Sequence, residues 1–108
     1  MQNLKGGEMM RRRIRVLLIF LLMVSSLISG CYYFSSMKEM DNAQRSFSEL
    51  KAMDGLKLVP YEYTSAEKFL ELSKMEFDEN DFDAAQEFAA RSKSAAEAGL
   101  SEVKKMKK

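Results

Sequence analysis

From Phe82 to Met106 the sequence keeps a single period. Phe82, Ala85, Phe88/Ala89, Ser92, Ala95/Ala96, Gly99/Leu100, Val103 and Met106 recur at threes and fours, which over about seven turns is the spacing of one helix face. So much alanine on that face lets a neighbouring helix approach closely, and Lys104, Lys105, Lys107 and Lys108 crowd the negative end of the helix, where cations are favourable. A second period covers Ala66, Phe69, Leu70, Ser73 and Phe77, and a third covers Met37, Met40, Ala43, Phe47 and Leu50. The fold class these patterns predict is all-α: a three-helix module over residues 36–108 whose C-terminal part, 64–107, is an antiparallel helical hairpin.

The breaks between the periods give the expected boundaries. The first helix is expected to begin near Ser36 and to end at Met53-Asp54-Gly55, where Gly55 can take the left-handed conformation of a helix C-terminus. Pro60, the one proline, forbids a continuous helix and pushes Val59 to extended backbone. Thr64-Ser65-Ala66-Glu67 reads as a capping box, which would start the second helix at Thr64. In the acidic stretch EFDENDFD, residues 76–83, Asn80 suits a left-handed turn. Asp81 suits the cap of the last helix, with Asp83 near its positive end.

The first third of the chain has a different composition. RRRIR at 11–15 precedes VLLIFLLMV at 16–24, and SSLISG leads to Cys31, the single cysteine. A basic start, a short apolar run and a small-residue site make a secretory signal peptide, here residues 1–30. The nine-residue uninterrupted run is short for a retained span, which needs about 20 apolar residues. KGGEM at 5–9 can be encoded by a purine-rich stretch similar to a ribosome-binding site, so translation is expected to start at Met9 or Met10, with residues 1–8 upstream of it.

Ile28-Ser29-Gly30-Cys31 resembles the lipobox of bacterial lipoproteins, an aliphatic residue three before the cysteine with small residues between. The resemblance implies a diacylglycerol thioether on Cys31, cleavage before it by a peptidase that recognises Ile28, Ser29 and Gly30, and acylation of the new amine. Residues 31–35 are then expected to be a lipid-anchored linker. Each buried acyl methylene is worth about 0.8 kcal/mol, so several chains hold firmly where one does not. Tyr32, not Asp, follows the cysteine; by the same resemblance this favours the outer membrane, facing the periplasm, in a Gram-negative envelope. Tyr32, Tyr33 and Phe34 are expected at the headgroup level, where amphipathic rings are favoured.

Residues 31–108 hold 12 Lys and Arg against 15 Asp and Glu, a net of −3, so the near-neutral whole hides a basic leader and a mildly acidic body. No broad basic face points to nucleic acid. The chain has no histidine, and lipid takes its only thiol, so the usual imidazole base and the common His/Cys metal sites are missing. Neither catalysis nor a cofactor is expected. Asp78, Asn80, Asp81 and Asp83 invite a calcium reading, but counting from Asp78 the sixth and twelfth positions are Asp83 and Ala89, where an EF-hand wants Gly and Glu. A solvated turn with capping acids accounts for them.

Residues 59 to about 100 resemble the bacterial lipoprotein family known as domain of unknown function 4398, through Pro60-Tyr61 with Ala66 at the helix start, Asp81-Phe82-Asp83 at the turn, and the spaced alanines after it. The resemblance implies an exported helical module, in that family often followed by an OmpA-like peptidoglycan-binding domain; these residues hold no such domain. Asp81-Phe82-Asp83-Ala84-Ala85 is also similar to the turn of one tetratricopeptide unit, without its preceding glycine. A solenoid needs at least about three repeats, and one is present. The function expected is that of a non-catalytic envelope adaptor or structural component. Its partners would be the membrane, through lipid on Cys31, and a protein or a second copy, through helical faces. Two alternatives stand beside it. Lys108 could join peptidoglycan, as the C-terminal lysine of Braun-type lipoproteins does, or the hairpin could bind a partner in the tetratricopeptide manner.

Overall fold

A computed structural model describes the backbone of residues 2–107, and side chains from Met9 onward except those of residues 28 and 29. Four helices follow in order: α1 Gln2–Ala52, α2 Gly55–Leu58, α3 Pro60–Asp78 and α4 Phe82–Met106. The chain divides into two compact units, Met1–Cys31 and Tyr32–Lys108. In the first, the apolar side chains from Val16 to Met23 and that of Leu27 are exposed. Among the described residues, one helix is long and apolar enough to cross a membrane by length and composition, a test that an N-terminal signal sequence also passes.

The second unit is the predicted all-α module. The part of α1 after Cys31, α3 and α4 run up, down and up around one core, and α3 and α4 form the antiparallel hairpin. The core gathers Ala43, Phe47 and Leu50 of α1, Val59, Tyr63, Ala66 and Leu70 of the middle segment, and Ala89, Ala96, Leu100 and Val103 of α4. Phe47 packs on Tyr63 with ring centroids 4.9 Å apart. Small residues bring α3 and α4 close. Ser73 Oγ donates to the Ala85 carbonyl, and Ser92 Oγ to the Ala66 carbonyl, each at 2.6 Å and each buried. A helical carbonyl has a second lone pair, so these bonds cross between helices without taking an acceptor from either ladder.

Several boundaries differ from expectation, each for a local reason. Helix α1 does not begin near Ser36; residues 31–35 are helical, since nothing after Gly30 breaks the helix and a lone glycine costs only about 1 kcal/mol. Helix α3 begins four residues before Thr64, with Pro60 at its first position, where a missing N–H and a fixed φ are no handicap. Thr64 therefore lies exposed inside the helix and caps nothing. At the end of α1 the left-handed residue is Asp54, φ 60°, not Gly55. Gly55 is needed for space: a Cβ there would lie 2.5 Å from Leu50 Cγ. Met37 and Met106 are exposed, while Ser36 is fully buried, its hydroxyl donating to the Tyr33 carbonyl. The acidic turn is as expected, with Asn80 at φ 64° and Asp81 accepting from the Ala84 N–H at 3.1 Å.

Candidate membrane-attachment site

Cys31 is exposed and is the last residue of the apolar unit. A Cβ added to Gly30 would meet nothing within 4 Å, so there is open space on the side-chain face of the residue before the thiol. The side chains of Ile28 and Ser29, expected to be read by the peptidase, lie outside the described residues, and so does Lys108, expected as the wall linkage. Upstream, the concavities on α1 are open grooves between successive turns of one helix, lined by Met9, Arg12, Arg13, Val16 and Leu17 and by Ile19, Leu22, Met23, Ser26 and Leu27. Such grooves have the form of a helix surface rather than of an enclosed cavity.

Directly after Cys31, structure replaces the expected linker. Tyr33 packs against Phe77 at the end of α3 and Phe82 at the start of α4, with centroids 5.3 Å apart in both pairs. Phe77 and Phe82 lie 5.2 Å apart, closing a triangle of edge-on and tilted rings; such pairs add about 0.5–1.5 kcal/mol each beyond the area they bury. Ser35 Oγ accepts from Gln86 Nε2 at 3.1 Å, and Ser36 is buried. Of the residues from 32 to 36, Phe34 is the most exposed at 71%, Tyr32 is 49% exposed, and Tyr33 keeps 38% exposure despite its ring contacts.

This triangle went unread in the sequence, although a signal for it exists. An up-down-up order puts the start of the first helix, the end of the second and the start of the third at one end. Aromatic residues stand at all three places, Tyr33, Phe77 and Phe82. The same end carries Glu76, Asp78, Glu79, Asp81 and Asp83 with Lys38 and Lys74 near them, while Lys51, Lys57, Lys104, Lys105 and Lys107 lie at the other among Glu49, Asp54, Glu62 and Glu102. The excess of carboxylates is thus at the α3–α4 turn. On the outer side of the hairpin, Phe69 stacks on Phe88 at 6.2 Å, and the Arg91 guanidinium lies 5.9 Å from both ring centroids while bonding Glu87 at 2.7 Å.

No family model, no curated protein and no solved structure matches the chain.

Proposed function

We propose that this protein is a non-catalytic lipoprotein of the bacterial cell envelope, a helical adaptor or structural component held to a membrane by acyl chains on Cys31. The observation that carries the reading is the position of that cysteine. An exposed thiol ends an apolar unit whose side chains stand free, and a packed helical module begins at the next residue. Cleavage before Cys31 removes the apolar helix and leaves the three-helix unit whole, with the modified residue at its very N-terminus. The Ile28-Ser29-Gly30 sequence supports recognition by the lipoprotein peptidase, and Tyr32 supports sorting to the outer membrane.

The mechanism is physical. Acylation restricts the module to a surface, and association there gains effective concentration without any new contact. The outer side of the hairpin, where Phe69, Phe88 and Arg91 stand part-exposed, offers area to a protein partner.

The intact mass of protein extracted from envelopes, before and after muramidase digestion, tests the proposal. The expected mass is that of residues 31–108 plus acyl groups, unchanged by digestion. A muropeptide on Lys108 would make the protein a membrane-to-wall tether. An unprocessed chain without lipid would overturn the reading.

A further inference from the structure

We infer that the module meets the membrane end-on, through the tip built from Tyr32, Tyr33, Phe34 and the α3–α4 turn, and that the surface it fits is the headgroup layer of a zwitterionic bilayer. The inference rests on acylation of Cys31 and adds an orientation and a lipid chemistry to it. The chain sets the distance. Tyr33 is the second residue after Cys31, which allows at most about 7 Å between their Cα atoms. Tyr33 is packed into the Phe77–Phe82 triangle, so the α3–α4 turn cannot move away from an acylated Cys31 without breaking that packing.

Two further observations fit the same surface. Tyr32, Phe34, Met37 and Met75 are 46–71% exposed, and all lie within about a turn of this tip; rings of this kind are favoured at the headgroup boundary. The carboxylates of Glu76, Asp78, Glu79, Asp81 and Asp83 crowd the turn. Outward-facing ammonium groups of zwitterionic lipids complement them, whereas an anionic surface repels them over a Debye length of about 8 Å at physiological salt. Opposite this tip, Tyr61 is 79% exposed at the start of α3; its 16-residue separation from Phe77 is about 24 Å of helix. End-on contact therefore holds Tyr61 and the lysines at that end, Lys51, Lys57, Lys104, Lys105 and Lys107, clear of the bilayer.

The chain has no tryptophan, so one introduced indole reports alone. The full acylated protein, as Phe34→Trp or as Tyr61→Trp, is placed in phosphatidylcholine vesicles containing brominated acyl chains, and its intact mass is taken from the same sample. The expected result is loss of most of the Phe34→Trp emission and little loss from Tyr61→Trp. Adding phosphatidylglycerol should weaken the quenching at position 34, and Asp78→Asn with Glu79→Gln should restore it. Equal quenching at both positions would mean that the module lies flat and would overturn the inference. Absent quenching at position 34 in a chain whose mass shows acyl groups would overturn it while leaving the attachment intact. Blue-shifted but unquenched emission there would assign the tip to a protein surface instead. Stronger quenching with phosphatidylglycerol would overturn the zwitterionic preference. A mass without acyl groups would remove the attachment itself, and the inference with it.

Discussion

Leu50 sits where three elements converge, and the glycines around it exist to receive it. A Cβ at Gly55 would lie 2.5 Å from Leu50 Cγ and 2.7 Å from the Leu50 carbonyl oxygen, whereas one at Gly99 would lie 3.0 Å from a Leu50 methyl and 3.1 Å from Glu62 Cβ. The first clash involves backbone and must move it, whereas the second is a tight contact in which the Leu50 methyls and Glu62 Cβ need give by only a few tenths of an ångström. Gly55→Ala should therefore cost roughly 1–3 kcal/mol, the usual range for overpacking. Gly99→Ala should stay within about 1 kcal/mol of wild type, because the gain in helix propensity offsets the tightness. Urea unfolding of the two variants checks the order. At Asn80, φ 64°, Ala lacks the polar side chain that tolerates the left-handed region, and Asn80→Ala should cost about 1 kcal/mol. Asn80 was legible because asparagine suits that region. Gly55 was misread because a glycine near a helix end suggests conformational freedom, and nothing local in a sequence distinguishes that need from a need for space.

At the scale of elements, α4 was the most legible. Its buried Ala85, Ala89, Ser92, Ala96, Gly99, Leu100 and Val103 follow the 3.6-residue period closely, because a long face packed on two helices leaves little room for deviation. The start of α3 was less so. Thr64 and Glu67 satisfy the spacing of a capping box, but Pro60 at the first helical position already supplies a start, and the earlier signal wins. The contact between α3 and α4 turns on two hydroxyls. Ser73→Ala and Ser92→Ala should each lower stability by about 1 kcal/mol through the lost buried hydrogen bond, read as a shift in thermal midpoint. Asp81→Ala should cost a similar ~1 kcal/mol, since it frees the Ala84 N–H at the start of α4.

Across the whole molecule, the two compact units meet the two halves of a division in composition. The boundary between them falls between Cys31 and Tyr32, one residue from the cleavage point read from the lipobox, and that division was visible as the change from an apolar run to a chain of amphipathic helices. The expected linker was not a good reading of residues 31–35, because a spacer demands residues without partners and Tyr33 and Ser35 both have one. Cys31→Ala should leave the unfolding midpoint of the helical module unchanged, since the thiol is exposed, while abolishing the proposed acylation; urea titration and intact mass on the same sample read both.

The anchoring of Tyr33, Ser35 and Ser36 so soon after the cysteine also imposes a timetable. A protease holds its substrate as extended backbone, and the bond before Cys31 lies within helical backbone that becomes fixed by tertiary packing only two residues later. On the proposed lipoprotein reading, maturation and folding compete for the same few residues. A chain that closed its aromatic triangle first would resist the peptidase, and a chain cut first would fold with its lipid already in place. On that reading, loosening the triangle should speed maturation even as it weakens the fold, and the rings that close this end of the module would also time export.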